Sequence, residues 1–176
     1  MVRRLLPVAL ILCGVGATIS LSHLHAAEPQ HNIKSPCCNV VLNPALKGRL
    51  GRVVVAFPPG AVPTGTRVTV LNNGKELLSG HGNQSWELLP GTYEVTVSGK
   101  RLSNVTVQPG HDTTVKVGVL RVSVGKGIRA AILDGGTEIA GDYGNFLVGL
   151  PIGSFEVKVA EQSEQVTISE GKITDF

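Results

Sequence analysis

The chain has 176 residues, 22 of them glycine, with 16 Lys/Arg against 13 Asp/Glu and only 7 aromatic side chains. That length holds one ordinary domain or two small ones. So few aromatic residues exclude the interleaved base stacking by which single-stranded nucleic acid is held.

Residues 1–27 read as a secretory signal peptide. Arg3 and Arg4 form a positive start, Leu5–Ile19 an apolar stretch, and Ala26-Ala27 a small-residue end. Cleavage after Ala27, Ala26 or Ser22 is equally consistent with the pattern, and retention as an anchor is the alternative. The apolar stretch falls short of the roughly 20 residues of a transmembrane helix. Cys13 follows Leu12, where a lipoprotein signal wants a small residue. No later segment is long and apolar enough to span a bilayer, so the mature chain is expected to be exported to the periplasm, the cell surface or the medium.

Residues 28–50 read as an irregular arm, rich in Pro and Asn and without a sustained period. Cys37 and Cys38 lie in it. Adjacent Cα atoms are about 3.8 Å apart, below the span of an unstrained disulfide, so a bridge between these two is strained. An oxidising compartment favours pairing of some kind, bridges between chains included. A metal site using His31, Cys37 and Cys38 is the other reading, although a zinc site calls for a fourth ligand and the sequence offers no clear one.

From about residue 51 the chain repeats itself. Leu88–Val97 has a second copy in Gly149–Val159, and a shift of 62 residues carries Asn72-Asn73-Gly74 onto Asp134-Gly135-Gly136 and Gly82-Asn83 onto Gly144-Asn145. Turn residues and inward apolar residues recur together, the signature of a duplicated unit. Past Val97 the second copy is one residue shorter. In each copy a proline and a glycine (Pro90-Gly91; Pro151 and Gly153) precede an alternating strand with Tyr93 or Phe155 facing inward. The Pro-Gly pair reads as a turn in which glycine takes a positive φ. Strands are predicted near 51–57, 66–72, 75–79, 84–89, 92–98, 102–107 and 113–119, then near 119–124, 128–134, 137–140, 146–150, 154–159, 164–169 and 172–176. Seven short strands per copy, separated by Gly, Pro, Asn and Asp turns, predict an all-β protein of two tandem prealbumin- or immunoglobulin-like β-sandwiches, residues 51–118 and 119–176.

The junction changes phase. Val115, Val117 and Val119 hold one parity, and Leu120, Val122 and Val124 the other. A one-residue slip turns the apolar set to the opposite face. The ribbon is therefore expected to leave one core near Gly118 and enter the next. Charge divides nearby: residues 28–130 carry 12 Lys/Arg and 5 Asp/Glu, and residues 131–176 carry 2 and 8. This asymmetry predicts association, either between the units or head-to-tail between chains.

The turn and strand Leu89-Pro90-Gly91-Thr92-Tyr93, the turn Gln108-Pro109-Gly110 before a Thr-rich strand, and the restart Val119-Leu120-Arg121-Val122 resemble the tandem modules found beside von Willebrand factor type A domains in exported bacterial proteins. They resemble more loosely the prealbumin-like sandwiches of carboxypeptidase regulatory domains. The resemblance covers roughly residues 50–176 and implies a non-catalytic accessory or adhesive module. The chain has no type A domain, so no metal-dependent adhesion site is carried over.

Chemistry is sparse. Gly125-Lys126-Gly127-Ile128-Arg129-Ala130 matches a dinucleotide fingerprint formally but is followed by a short strand where a helix is needed. Ser79 and His81 share a loop tip without an orienting acid. Asp134, Asp142 and Asn145 lie on turns, where such residues are ordinary, without the spacing of a calcium loop. Lys47, Arg49, Arg52, Lys100 and Arg101 make the first unit basic and are the candidate contacts for an acidic protein or an anionic glycan. These readings predict a non-enzymatic interaction or structural module of the cell envelope that needs no cofactor and can self-associate. A carbohydrate- or metal-binding periplasmic protein is the rival.

Overall fold

The computed structural model describes residues 36–176. The leader, its cleavage sites, Cys13 and His31 lie outside them. The described residues belong to one compact unit. Among the described residues there are fifteen strands and no helix, and no helix is long and apolar enough to cross a membrane.

In chain order the strands are β1 (Cys38–Leu42), β2 (Gly51–Val55), β3 (Arg67–Asn72), β4 (Lys75–His81), β5 (Gln84–Leu88), β6 (Gly91–Val97), β7 (Lys100–Val107) and β8 (His111–Val115). They continue as β9 (Val117–Val122), β10 (Arg129–Asp134), β11 (Thr137–Tyr143), β12 (Phe146–Pro151), β13 (Gly153–Val159), β14 (Gln162–Ile168) and β15 (Ile173–Asp175). Four small sheets result, ordered β1-β8-β2-β5, β4-β3-β6-β7, β12-β9-β15 and β11-β10-β13-β14.

All fourteen predicted strands are present, and one was not expected. Cys38–Leu42, inside the arm read as irregular, is an edge strand paired antiparallel with β8. Its pattern hides it: Cys38 is buried, while Val41 and Leu42 are 61% and 54% exposed. With one inward residue in five, no alternation marks it as a strand. It is held instead by the ladder it completes.

The duplication is visible in the backbone. Register shifts fall between Val70/Leu71 and between Ile132/Leu133, 62 residues apart. Positive φ values occur at Gly74 and Gly136, at Gly82 and Gly144, and at Ser98 and Ala160, each pair at the same spacing. The extra residue of the first copy is absorbed in β7, where the β6–β7 register shifts and Asn104 takes a φ of 61°. The matching β13–β14 ladder runs without interruption. A single inserted residue in an antiparallel strand is accommodated as a bulge.

The buried side chains form two hydrophobic clusters. One gathers β2, β3, β6, β7 and β8 residues with Cys38, Phe57 and Tyr93. The other gathers β10, β12, β13 and β14 residues around Phe155 and Ile132. Strand β9 belongs to both: Val117 and Val119 lie in the first, Leu120 and Val122 in the second. The phase change at the junction thus corresponds to a strand that changes core. Beyond β9, Gly149 N–H donates to the buried Thr66 hydroxyl at 2.8 Å, and Lys100 Nζ lies 2.6 Å from Asp134 Oδ2.

Candidate functional site

Lys116 stands between β8 and β9 and is a stitch in the backbone. Its N–H donates to the Cys37 carbonyl at 2.8 Å, and its carbonyl accepts from Ile152 N–H at 3.2 Å. The turn before β1 is thereby brought beside the turn between β12 and β13. Between them opens a groove of about 640 Å³, its wall mostly apolar from Leu102, Pro151, Ile152 and Ile168. Lys116, Glu170 and Cys37 supply its polar edge. Asn39 Nδ2 donates to Glu170 Oε1 at 2.7 Å, tying β1 to the loop before β15.

The cysteines differ in surroundings. Cys38 is 1% exposed and points into the first core, whereas Cys37 is half-buried and faces the groove. Their sulfurs are 2.7 Å apart. Burial, and then the Cys37 thiol beside it, push the Cys38 thiol well above the ordinary cysteine range. Among the described residues, no three His, Cys, Asp or Glu side chains converge to hold a metal ion. His31, the third residue of the metal reading, is outside the described part.

The five basic candidates lie on three elements, Lys47 and Arg49 on the β1–β2 connection, Arg52 on β2, and Lys100 and Arg101 on β7. Arg52 makes a two-point contact with Asp112, 2.8 Å from Nε to Oδ1 and 2.7 Å from Nη2 to Oδ2, and Asn43 donates to the same carboxylate. The Arg52 hydrogen bonds and then that of Asn43 hold the Asp112 carboxyl below its usual range against the opposing effect of burial. Lys100 is engaged by Asp134. Arg101 Nη1 lies 3.2 Å from Glu94 Oε2, an ion pair outside hydrogen-bonding geometry that leaves this buried oxygen without a hydrogen bond. Lys47 and Arg49 are exposed on the β1–β2 connection and take part in no ion pair among the described residues.

The Pro-Gly turns also differ from expectation. Gly91 does not take a positive φ. It opens β6, and a Cβ there would meet the Tyr93 ring at an ordinary 3.5 Å. Gly153 does have a positive φ, 147°, after the buried Pro151. What fixes the first turn is the Tyr93 hydroxyl, which donates to the Leu89 carbonyl at 2.8 Å. The exposed Pro90 only bends the chain. Phe155, Tyr93's counterpart, is 2% exposed.

The groove itself was not foreseen. Its lining comes from residues 36 to 170, drawn from both copies, and no local pattern announces such a site.

No family model matches the chain, and no curated protein matches it. Among solved structures the chain is similar to the TIE protein of Bacillus anthracis, at 18% identity and a TM-score of 0.31, over 73% of this chain and 33% of that one. It therefore spans about a third of that protein's length. It is also similar to GBS52, the minor pilin of the Gram-positive pathogen Streptococcus agalactiae, at 12% identity and a TM-score of 0.28, over 72% of this chain and 93% of that one.

Proposed function

We propose that the chain is an exported, non-enzymatic structural module of the cell envelope, built of two tandem β-sandwiches that associate head-to-tail with further copies. Four small sheets can be arranged as blades about one axis or as facing pairs. The division of their inward side chains between two clusters supports pairs. Export rests on the leader sequence, and the module reading on the duplication and on the resemblance to type A domain-associated modules. The two structural matches have TM-scores too low to add to either.

The observation that carries the association is where the charges go. Residues 36–118 hold 8 Lys/Arg and 4 Asp/Glu, and residues 119–176 hold 5 and 8. This is a smaller split than the one drawn at residue 130, because Arg121 and Arg129 sit on second-copy strands and pair there with Asp175 and Glu138. Of the ion pairs among the described residues, Lys100–Asp134 alone joins the two copies. The surplus therefore faces solvent, with Lys47 and Arg49 on the β1–β2 connection that leads into the first copy, and Glu161, Glu164 and Glu170 on the second copy. Exposed basic residues at one place on the chain and exposed acidic residues at others favour a heterologous contact, which repeats from copy to copy.

Expression of two differently tagged copies in one cell tests the proposal. Recovery of each copy by the other's tag from the envelope fraction, lost when Glu161, Glu164 and Glu170 become Gln, is expected. Recovery of each tag alone, or of an acidic partner or anionic glycan bound through Lys47 and Arg49, contradicts self-assembly.

A further inference from the structure

We propose that Cys37 and Cys38 are an oxidation site, a vicinal dithiol at the edge of the groove that closes on itself to a disulfide by exchange with a disulfide oxidant. The inference does not depend on the structural role above.

Three observations converge on it. The sulfurs lie 2.7 Å apart, inside the roughly 3.5–4.0 Å at which non-bonded carbon atoms rest and beyond the ~2.04 Å of an S–S bond. The side chains of consecutive residues in a strand point to opposite faces, but here only Cys38 is in a strand, and Cys37 belongs to the turn before it. That placement lets both sulfurs turn to the same side. The two also differ in access, since Cys37 faces the groove while Cys38 is sealed in the first core.

The order of events follows from access. Cys37 gives up its proton, its thiolate attacks one sulfur of the oxidant, and the thiolate expelled takes up a proton from solvent in turn, leaving a mixed disulfide on Cys37. The Cys38 sulfur then attacks Cys37 Sγ, breaking that bond and expelling the second thiolate, which takes up the Cys38 proton. One oxidant S–S bond is broken and one protein S–S bond formed. Two electrons pass from the cysteine pair to the oxidant, which leaves as two thiols. Neighbouring Cα atoms, about 3.8 Å apart, are closer than the ~4.4–6.8 Å usual for disulfides. The closed ring is therefore strained and more easily reduced than a structural bridge. The strain falls on the Cys37–Cys38 peptide, whose carbonyl partner is Lys116, so closure acts on the stitch that frames the groove.

Oxidised glutathione added to the folded full chain carrying Cys13→Ser tests this by intact mass and peptide mapping. The expected product has lost two hydrogens and both titratable thiols, is monomeric on a non-reducing gel, and recovers both thiols with dithiothreitol. In the Cys38→Ser variant, glutathione should remain attached to Cys37. In Cys37→Ser, Cys38 should resist modification until urea exposes it. A stable glutathione adduct on the chain that keeps both cysteines, or a disulfide-linked dimer, overturns the proposal. This primary readout needs neither variant to fold.

Discussion

Gly149 is where the two copies cease to be interchangeable, and it gives the sharpest test of how they are joined. Its counterpart 62 residues earlier is Glu87, an exposed strand residue. In the second copy that face of β12 is covered by the Phe57–Pro63 segment of the first. A Cβ on Gly149 would overlap Phe57 Cε1 and Cζ and sit 2.9 Å from Pro63 Cγ. A ring and a proline cannot swing aside as the end of a flexible chain does. Gly149 has no positive φ, so Gly149→Ala adds no backbone strain and the cost is one of overpacking, about 1–3 kcal/mol. If the strand moves to relieve the clash, the buried bond from Gly149 N–H to Thr66 is stretched as well, at about 1 kcal/mol more. Urea unfolding should show a lower midpoint with an unchanged slope. Gly91→Ala, whose Cβ meets only the Tyr93 ring at 3.5 Å, is the control and should be nearly silent. Phe57→Ala removes the nearer of the two obstacles, so the double variant should be destabilised by less than the sum of its parts. Equal, small effects at Gly149 and Gly91 would refute the packing of the first copy onto β12.

Tyr93→Ala should cost ~3–5 kcal/mol in the same unfolding assay, as truncation of a core aromatic does. Tyr93→Phe, which loses only the bond to the Leu89 carbonyl, should cost about 1 kcal/mol. Glu94→Ala, which loses a partly exposed ion pair with Arg101, should cost no more than about 1 kcal/mol. For Asp112 the folded-state pKa is lowered, so its contribution is present above the unfolded-state value of about 3.9 and is lost as pH falls through the folded one. Stability measured from neutral pH into this acid range should decline less steeply in Asp112→Asn, and a parallel decline would contradict the role given to the Arg52 and Asn43 contacts.

The sequence was most legible where repetition doubled the signal. Turn glycines, alternating valines and the phase change at Gly118 each state a local rule, and each has its counterpart in the strands and in the two clusters. What escaped was non-local. Strand β1 is specified by β8, about 70 residues further along the chain, and its own side chains show no alternation. The five basic residues read as candidate contacts because counting charges ignores partners. Asp112, Asp134 and Glu94, placed by the sheets, occupy three of the five. The groove depends on Lys116 bringing two distant turns together.

The most direct test of the structural role is sedimentation velocity of the chain without its leader at two salt concentrations. The Debye length is ~30 Å at 0.01 M salt and ~8 Å at 0.15 M, so association between the exposed basic and acidic residues should be strong at the lower salt and fall steeply at the higher. Replacement of Glu161, Glu164 and Glu170 by Gln should abolish it at both. A monomer at every salt, or assemblies indifferent to salt and to these three glutamates, would contradict head-to-tail assembly.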